Sequence, residues 1–145
     1  MSRRSLIPVA VATFALLATA CAPSSGSSNS SGNFRGDQKA VATTVEDFEK
    51  AASSGDENKI CRDVLAPALA RRLTARGGSC TAAVNKAIKD ADTFTLDVKT
   101  VRITGDQATA RVSFDTGKKT RTGTITLTRA GSWRIADLTP TTPSR

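Results

Sequence analysis

The sequence predicts an α+β domain, with N-terminal helices packed on a curved antiparallel four-stranded sheet. Three observations carry this expectation. Apolar residues recur at three- and four-residue steps from Val41 to Ile88, then at two-residue steps from Phe94 onward. Short Gly/Asp turn signals cut the alternating half into lengths suited to hairpins. Two cysteines, Cys61 and Cys80, fall in the helical half, where a cross-link would help a small core. The domain is expected over residues 37–138.

Residues 1–20 read as an export signal. Arg3 and Arg4 give a positive start, and Leu6 to Ala20 carries no charge. That stretch of about 15 residues is shorter than the roughly 20 a spanning helix needs, and its flanks fit a cleaved leader. Ser2-Arg3-Arg4-Ser5-Leu6-Ile7 resembles a twin-arginine signal, although an ordinary n-region carries two arginines just as well. Thr19-Ala20-Cys21 resembles a bacterial lipobox, with Ala18 where Leu is commonest. The resemblance implies that Cys21 is the lipid-attachment site and mature N-terminus of a lipoprotein. It would sit on the extracytoplasmic face of the cell membrane, held by two or more acyl chains such as palmitate. Ala18-Thr19-Ala20 also satisfies an A-x-A site, and ordinary signal peptidase acting there would release a soluble secreted protein.

Residues 21–36 are then the lipidated cysteine and a Ser/Gly/Asn-rich flexible linker, with an end-to-end distance of about 20 Å. Phe34 is its one apolar residue after Ala22.

Val41, Val45, Phe48 and Ala52 share one face of a helix expected over Gln38–Ala52, ended by Ser53-Ser54-Gly55. Asp56 can cap the next helix, whose apolar side is Ile60, Cys61, Val64 and Leu65. Pro67 starts or kinks a further turn with Leu69 and Leu73. Arg71, Arg72 and Arg76 cluster there, as an anion-binding face or simply a solvated one. Ser79 or Thr81 can cap a last helix with Val84, Ala87 and Ile88 inward.

In the strand half, Phe94, Leu96 and Val98 alternate, and Val101 and Ile103 continue in the opposite phase. The slip near Lys99-Thr100 predicts a β-bulge. Ala108, Ala110, Val112 and Phe114 form the second strand. Thr occupies every even position from Thr120 to Thr128, with Ile125 and Leu127 on the other face. Trp133 and Ile135 alternate in the fourth strand, and residues 139–145 form a disordered tail. Lys118, Lys119 and Arg121 sit at the hairpin between the second and third strands, as a membrane-facing tip or a solvated turn.

Helices followed by a bent meander that ends in Gly131-Ser132-Trp133-Arg134-Ile135-Ala136-Asp137-Leu138 resemble the NTF2-like (SnoaL-like) superfamily. The resemblance covers about residues 37–138 and implies a cone with a pocket between the sheet and the first helix. A short strand common between the helices of such domains is not evident. The superfamily includes isomerases, dehydratases and cyclases, and also binding domains without chemistry, so the fold does not assign an activity.

The chain contains no His and no Tyr. A His-containing triad or metal site is therefore excluded, and no metal or cofactor is expected. Asp97, Asp106 and Asp115 lie out of phase with the apolar residues or in turns, so no inward carboxylate offers itself for proton transfer and no enzyme is expected. In an oxidising compartment Cys61 and Cys80 most simply pair; the alternative, a catalytic thiol, lacks a His base. Phe48, Phe94, Phe114, Ile125, Leu127, Trp133 and Ile135 form the inward set, read either as a pocket lining or as the core. If buried, Trp133 needs an acceptor for its indole N–H.

The full chain has 21 basic and 13 acidic residues. Removing residues 1–20 leaves 19 against 13, a net +6, which favours anionic surfaces. The function expected is a membrane-anchored, non-catalytic accessory or binding module of the cell envelope. Its partners would be the membrane, another envelope protein or an anionic cell-wall polymer, and not nucleic acid. The alternatives are a carrier of an apolar small ligand, or a degenerate enzyme, with an open cone.

Overall fold

Four antiparallel strands run as a meander in the order β1-β2-β3-β4, and helix α1 packs on one face of the sheet, the inner face. This architecture comes from a computed structural model that describes residues 30–75, 78–91, 95–115 and 120–140. The expected leader, Cys21, most of the linker, Arg76, Phe94, Lys118, Lys119 and residues 141–145 lie outside that range. Among the described residues no helix is long and apolar enough to cross a membrane.

Helix α1 (Gly36–Ser53) buries Val41, Val45, Phe48 and Ala52 as the spacing predicts, and Ala42 and Ala51 widen the stripe. It begins two residues before the expected Gln38 and is tied to the sheet where Gln38 Nε2 donates to the Val101 carbonyl at 3.1 Å. Its end is a Schellman motif. Gly55 N–H reaches Ala52 O at 3.2 Å and Asp56 N–H reaches Ala51 O at 2.9 Å. Gly55 holds φ at 67°, the left-handed conformation this closure needs.

Asp56 then caps α2 (Glu57–Lys59), its Oδ1 accepting from Lys59 N–H at 3.0 Å. The helix widens into a π turn over Ile60–Val64, closed by Leu65 N–H to Ile60 O at 2.9 Å. The extra residue in that turn lets Ile60, Val64 and Leu65 all face the core. Leu65 leaves in extended conformation and makes a lone parallel bridge to Ile135, with Ala66 N–H on the Ile135 carbonyl at 2.7 Å. This single bridge stands where a separate short strand between helices was not legible.

Pro67 opens α3 (Pro67–Thr74) at its first turn, as expected. Of the two candidate caps for α4 (Cys80–Lys89), Ser79 is the one used, accepting from Ala82 N–H at 3.1 Å. Cys61 and Cys80 are joined by a disulfide, with Cα atoms 6.1 Å apart. Asn85 donates to Glu57 beside it, so α4 is pinned once to α2 and once to the π turn that follows it.

Strands β1 (Thr95–Thr104), β2 (Gln107–Asp115), β3 (Thr120–Ala130) and β4 (Ser132–Pro140) pair in register except at two points. The first slip, between Val98 and Thr100 against Val112 and Arg111, is the predicted bulge at Lys99. The second, in β4, puts Asp137 opposite Thr126 and Ile135 opposite Leu127, leaving Ala136 unpaired. That bulge was not foreseen. It reverses the phase of the strand end, so Leu138, not Asp137, shares a face with Ile135.

Both expected domain limits move outward. Ser30–Asn33, expected to belong to a flexible linker, forms a 3₁₀ turn in which Ser30 is buried. Ser30 Oγ donates to Asp97 Oδ1 at 2.7 Å and accepts from Val98 N–H at 3.1 Å. At the other end β4 continues two residues past the expected limit at 138, because Thr139 and Pro140 pair with Thr124 and Gly123.

Removing the cross-link tests its place in this framework. The Cys61→Ala/Cys80→Ala variant is expected to lose about 3 kcal/mol of stability, as closing a loop of this size implies. Urea unfolding of both proteins measures it, and intact mass with and without reductant gives a 2 Da difference for one disulfide only in the parent.

Candidate functional site

The inner face is wider than α1 can cover. Under α1 it is sealed: Leu127, Trp133 and Ile135 are at most 5 % exposed and belong to the closed core with Val41, Val45 and Ile60. Beyond this core lie two neighbouring apolar pockets, an outer and an inner lobe, that share lining residues including Phe48. The outer lobe, about 370 Å³, lies between α3, α4 and the end of β4, with Leu65, Leu69, Leu73, Val84 and Ile88 in its wall. The inner lobe, about 250 Å³, lies on the sheet, lined by Leu96, Val112, Phe114, Gly123 and Ile125. Phe48, Ala87 and Leu138 border both lobes.

Local sequence explains the shape. Gly123 pairs with Val112 on the inner face. A Cβ at Gly123 would stand 3.2 Å from Phe114 Cε1 and 3.3 Å from the Thr139 carbonyl oxygen, so the missing side chain gives the Phe114 ring its room. The β4 bulge brings Leu138 into the wall, where it stays 42 % exposed at the mouth. Ala87, expected inward, is instead exposed there, because α4 leans on α2 and α3 rather than on the sheet.

The inward set of seven residues is therefore divided. Phe48, Phe114 and Ile125 line the cavity, Leu127, Trp133 and Ile135 do not, and Phe94 lies outside the described residues. Sequence reading missed Ala87, Leu138 and the outer lobe as lining. Leu96 and Val112 were legible as inward residues by their alternation, but Leu138 was hidden by the unpredicted phase change.

Two charged residues, Arg72 and Asp137, line the outer lobe, and both are about half-exposed or more. Arg72 Nη2 donates to the Ala136 carbonyl at 2.7 Å and approaches Asp137 Oδ1 at 3.4 Å. With the two side chains 60 % and 51 % exposed, this pair contributes little to stability. Asp137 Oδ2 also accepts from Thr139 at 2.9 Å. The inner lobe is lined by no ionisable side chain; Thr124 and Thr139 are its polar members. Among the described residues no group of three His, Cys, Asp or Glu side chains is placed to hold a metal.

The other carboxylates sit away from the cavity. Asp106 is in the β1–β2 turn, and Asp115 is exposed at the end of β2. Asp97 is on the outer face of β1, where hydrogen bonds from Lys99 and Ser30 hold its carboxyl below the usual range. Glu46 accepts from Ser31 N–H at 2.6 Å, so the N-terminal turn is clasped by α1 as well as β1. Glu49 is pushed up, first by burial, against the opposing effect of Leu96 N–H and with help from Glu46 and Asp97.

Trp133 does not find the acceptor it was expected to need: its Nε1 is buried and unpartnered among the described residues. Its ring is covered instead by the Arg129 guanidinium, 4.9 Å from the centroid. Arg129 is held there by Asp37 at 3.0 Å and Asp106 at 3.5 Å.

No protein-family model, curated protein or solved structure matches the chain.

The clasp has a definite pH signature. Asp97 is depressed in the fold, so its stabilisation is present above the unfolded value of about 3.9 and is lost as pH falls through the lower folded value. Ser30→Ala should cost about 1 kcal/mol at pH 7, and the difference from the parent should shrink near pH 2, as read by urea unfolding. Glu49 has the opposite sign. Its raised folded value costs stability once ionised, so Glu49→Gln is expected to stabilise at pH 7 and to have less effect below about pH 4.

Proposed function

We propose that this chain is a membrane-anchored lipoprotein of the extracytoplasmic cell envelope, and that its domain is a non-catalytic binding module. The binding element is the two-lobed cavity, and the ligand class is an apolar small molecule. The observation that carries this reading is the lining of the inner lobe, which is apolar apart from two threonines. Such a wall rewards burial of hydrocarbon at about 25 cal/mol per Å². It offers no ionisable group to move a proton on a bound molecule.

The same reading takes the fold as an NTF2-like cone. Helices that precede a bulged antiparallel meander support it, as does the segment at Leu65 that adds one parallel bridge to β4. Lipid attachment at Cys21 rests on the Thr19-Ala20-Cys21 pattern. It is supported by the pairing of Cys61 with Cys80, which leaves Cys21 as the one cysteine without a disulfide partner in the sequence.

Two measurements test the parts separately. In a host with lipoprotein processing, a tagged fatty acid is expected to label the protein and not its Cys21→Ala variant; label persisting in the variant rejects the anchor. For the cavity, the neutral fluorophore N-phenyl-1-naphthylamine is expected to bind residues 22–145 saturably at one site. Ala87→Trp, an exposed position bordering both lobes, should weaken it at least tenfold without lowering the melting temperature. Unsaturable binding, or binding indifferent to Ala87→Trp, rejects the cavity as the site.

A further inference from the structure

The register of β2 and β3 places a cation beside the inner lobe. Strand β4 ends at Pro140, opposite Gly123. Among the described residues, the start of β3, Thr120 to Thr122, pairs only with β2. In this stretch Phe114 is directly opposite Arg121. The side-chain period of two puts Arg121 on the same face as Gly123 and Ile125, the face that floors the inner lobe. Phe114 is in the wall; Arg121, next outward, is exposed and forms no ion pair with any described residue.

The nearby carboxylates are turned elsewhere. Asp137 is engaged by Arg72 and Thr139. Asp115 pairs in register with Thr120, on the opposite face of the sheet from Phe114 and Arg121. Among the described residues the Arg121 guanidinium thus has no ion-pair partner, and the register sets it next to Phe114 of the apolar wall. A guanidinium there meets a carboxylate or phosphate in two parallel hydrogen bonds, while the chain behind that head group is buried.

From this juxtaposition we infer that the cavity takes a single-chain amphiphile with an anionic head group, and that Arg121 binds the head. This rests on the cavity reading above and adds the ligand's polar end. The hydrocarbon fills the lobes past Phe114 and Phe48, and the head stays at the mouth in contact with water. Arg72, already tied to Ala136 O and Asp137, is not the head-group ligand.

The test uses residues 22–145 and three ten-carbon probes at pH 8: decanoate, decyl phosphate and neutral decanol, by titration calorimetry. The parent is expected to bind both anions at least tenfold more tightly than decanol. In Arg121→Gln that preference should vanish through loss of anion affinity, with decanol binding and melting temperature unchanged. Arg72→Gln should keep the preference. A parent that binds decanol as tightly as the anions overturns the anionic-head inference and leaves the apolar cavity standing. Loss of preference in Arg72→Gln but not in Arg121→Gln overturns the assignment to Arg121. Binding of none of the three overturns the inference together with the cavity reading beneath it. If decanoate alone or decyl phosphate alone shows the preference, the head-group chemistry is thereby narrowed to that one anion and the inference holds.

Discussion

The packing of α1 on the inner face of the meander is the contact on which the rest of the structure depends. The sheet is one-sided: Thr and Arg fill its outer face, and its inner face is apolar. An antiparallel sheet of this kind is stable only if something covers that inner face. Helix α1 supplies an 18-residue cover, about 27 Å long, but one helix is about 10–12 Å wide and four strands span roughly 15 Å between their outer axes. A single helix therefore cannot close the whole face. The π turn at Ile60–Val64 and the bridge from Leu65 to Ile135 fill one flank. Helix α3 meets the same β4 flank and carries α4 with it, and the pockets lie where these helices do not reach the sheet.

That arrangement explains what was legible in the sequence. The stripe of α1, the caps at Asp56 and Ser79, Pro67 at a helix start and the bulge at Lys99 were all readable. Each is a local rule acting on neighbouring residues. The order of the meander followed from short turns, which leave each strand little choice of partner. The bulge at Ala136 was not readable, because Trp133, Ile135 and Asp137 alternate without a visible slip. Pairing with β3 decides the phase there, and pairing is a long-range property. The division of the inward set into core and cavity wall was hidden for the same reason. Leu127 and Ile125 look alike in a period-two pattern, and only the path of α1 covers one and leaves the other at the lobe.

The N-terminal boundary shows a different failure of composition as a guide. Ser30, Ser31, Gly32 and Asn33 have the makeup of a linker, yet the serine hydroxyl of Ser30 is buried between Asp97 and Val98 N–H. Edge strands leave backbone N–H groups unpaired, and β1 is the edge on this side of the sheet. A small hydroxyl that both donates and accepts satisfies such an edge group and a carboxylate at once. The polar composition that marks a flexible tether is thus also the composition that can finish a sheet edge. Ser31 N–H on Glu46 fixes the turn to α1 as well, so the entering chain joins helix to strand just where the two are held by Gln38 further along.

The bulge at Ala136 decides the chemical character of the cavity. Without it, strict alternation from Trp133 and Ile135 would aim Asp137 at the inner face and send Leu138 outward. A carboxylate on that apolar wall would be driven toward its neutral form by desolvation, and would be the one group there able to exchange a proton. The inserted residue exchanges the two side chains. Leu138 becomes part of the wall shared by both lobes, and Asp137, held by Arg72 and Thr139 and half-exposed, borders the outer lobe but not the inner one. One unpaired residue in β4 thereby separates the hydrocarbon surface from the charges around it. That separation, an inner lobe with no ionisable lining and charges only on its neighbour, suits an amphiphile, and it follows from strand register more than from any single side chain.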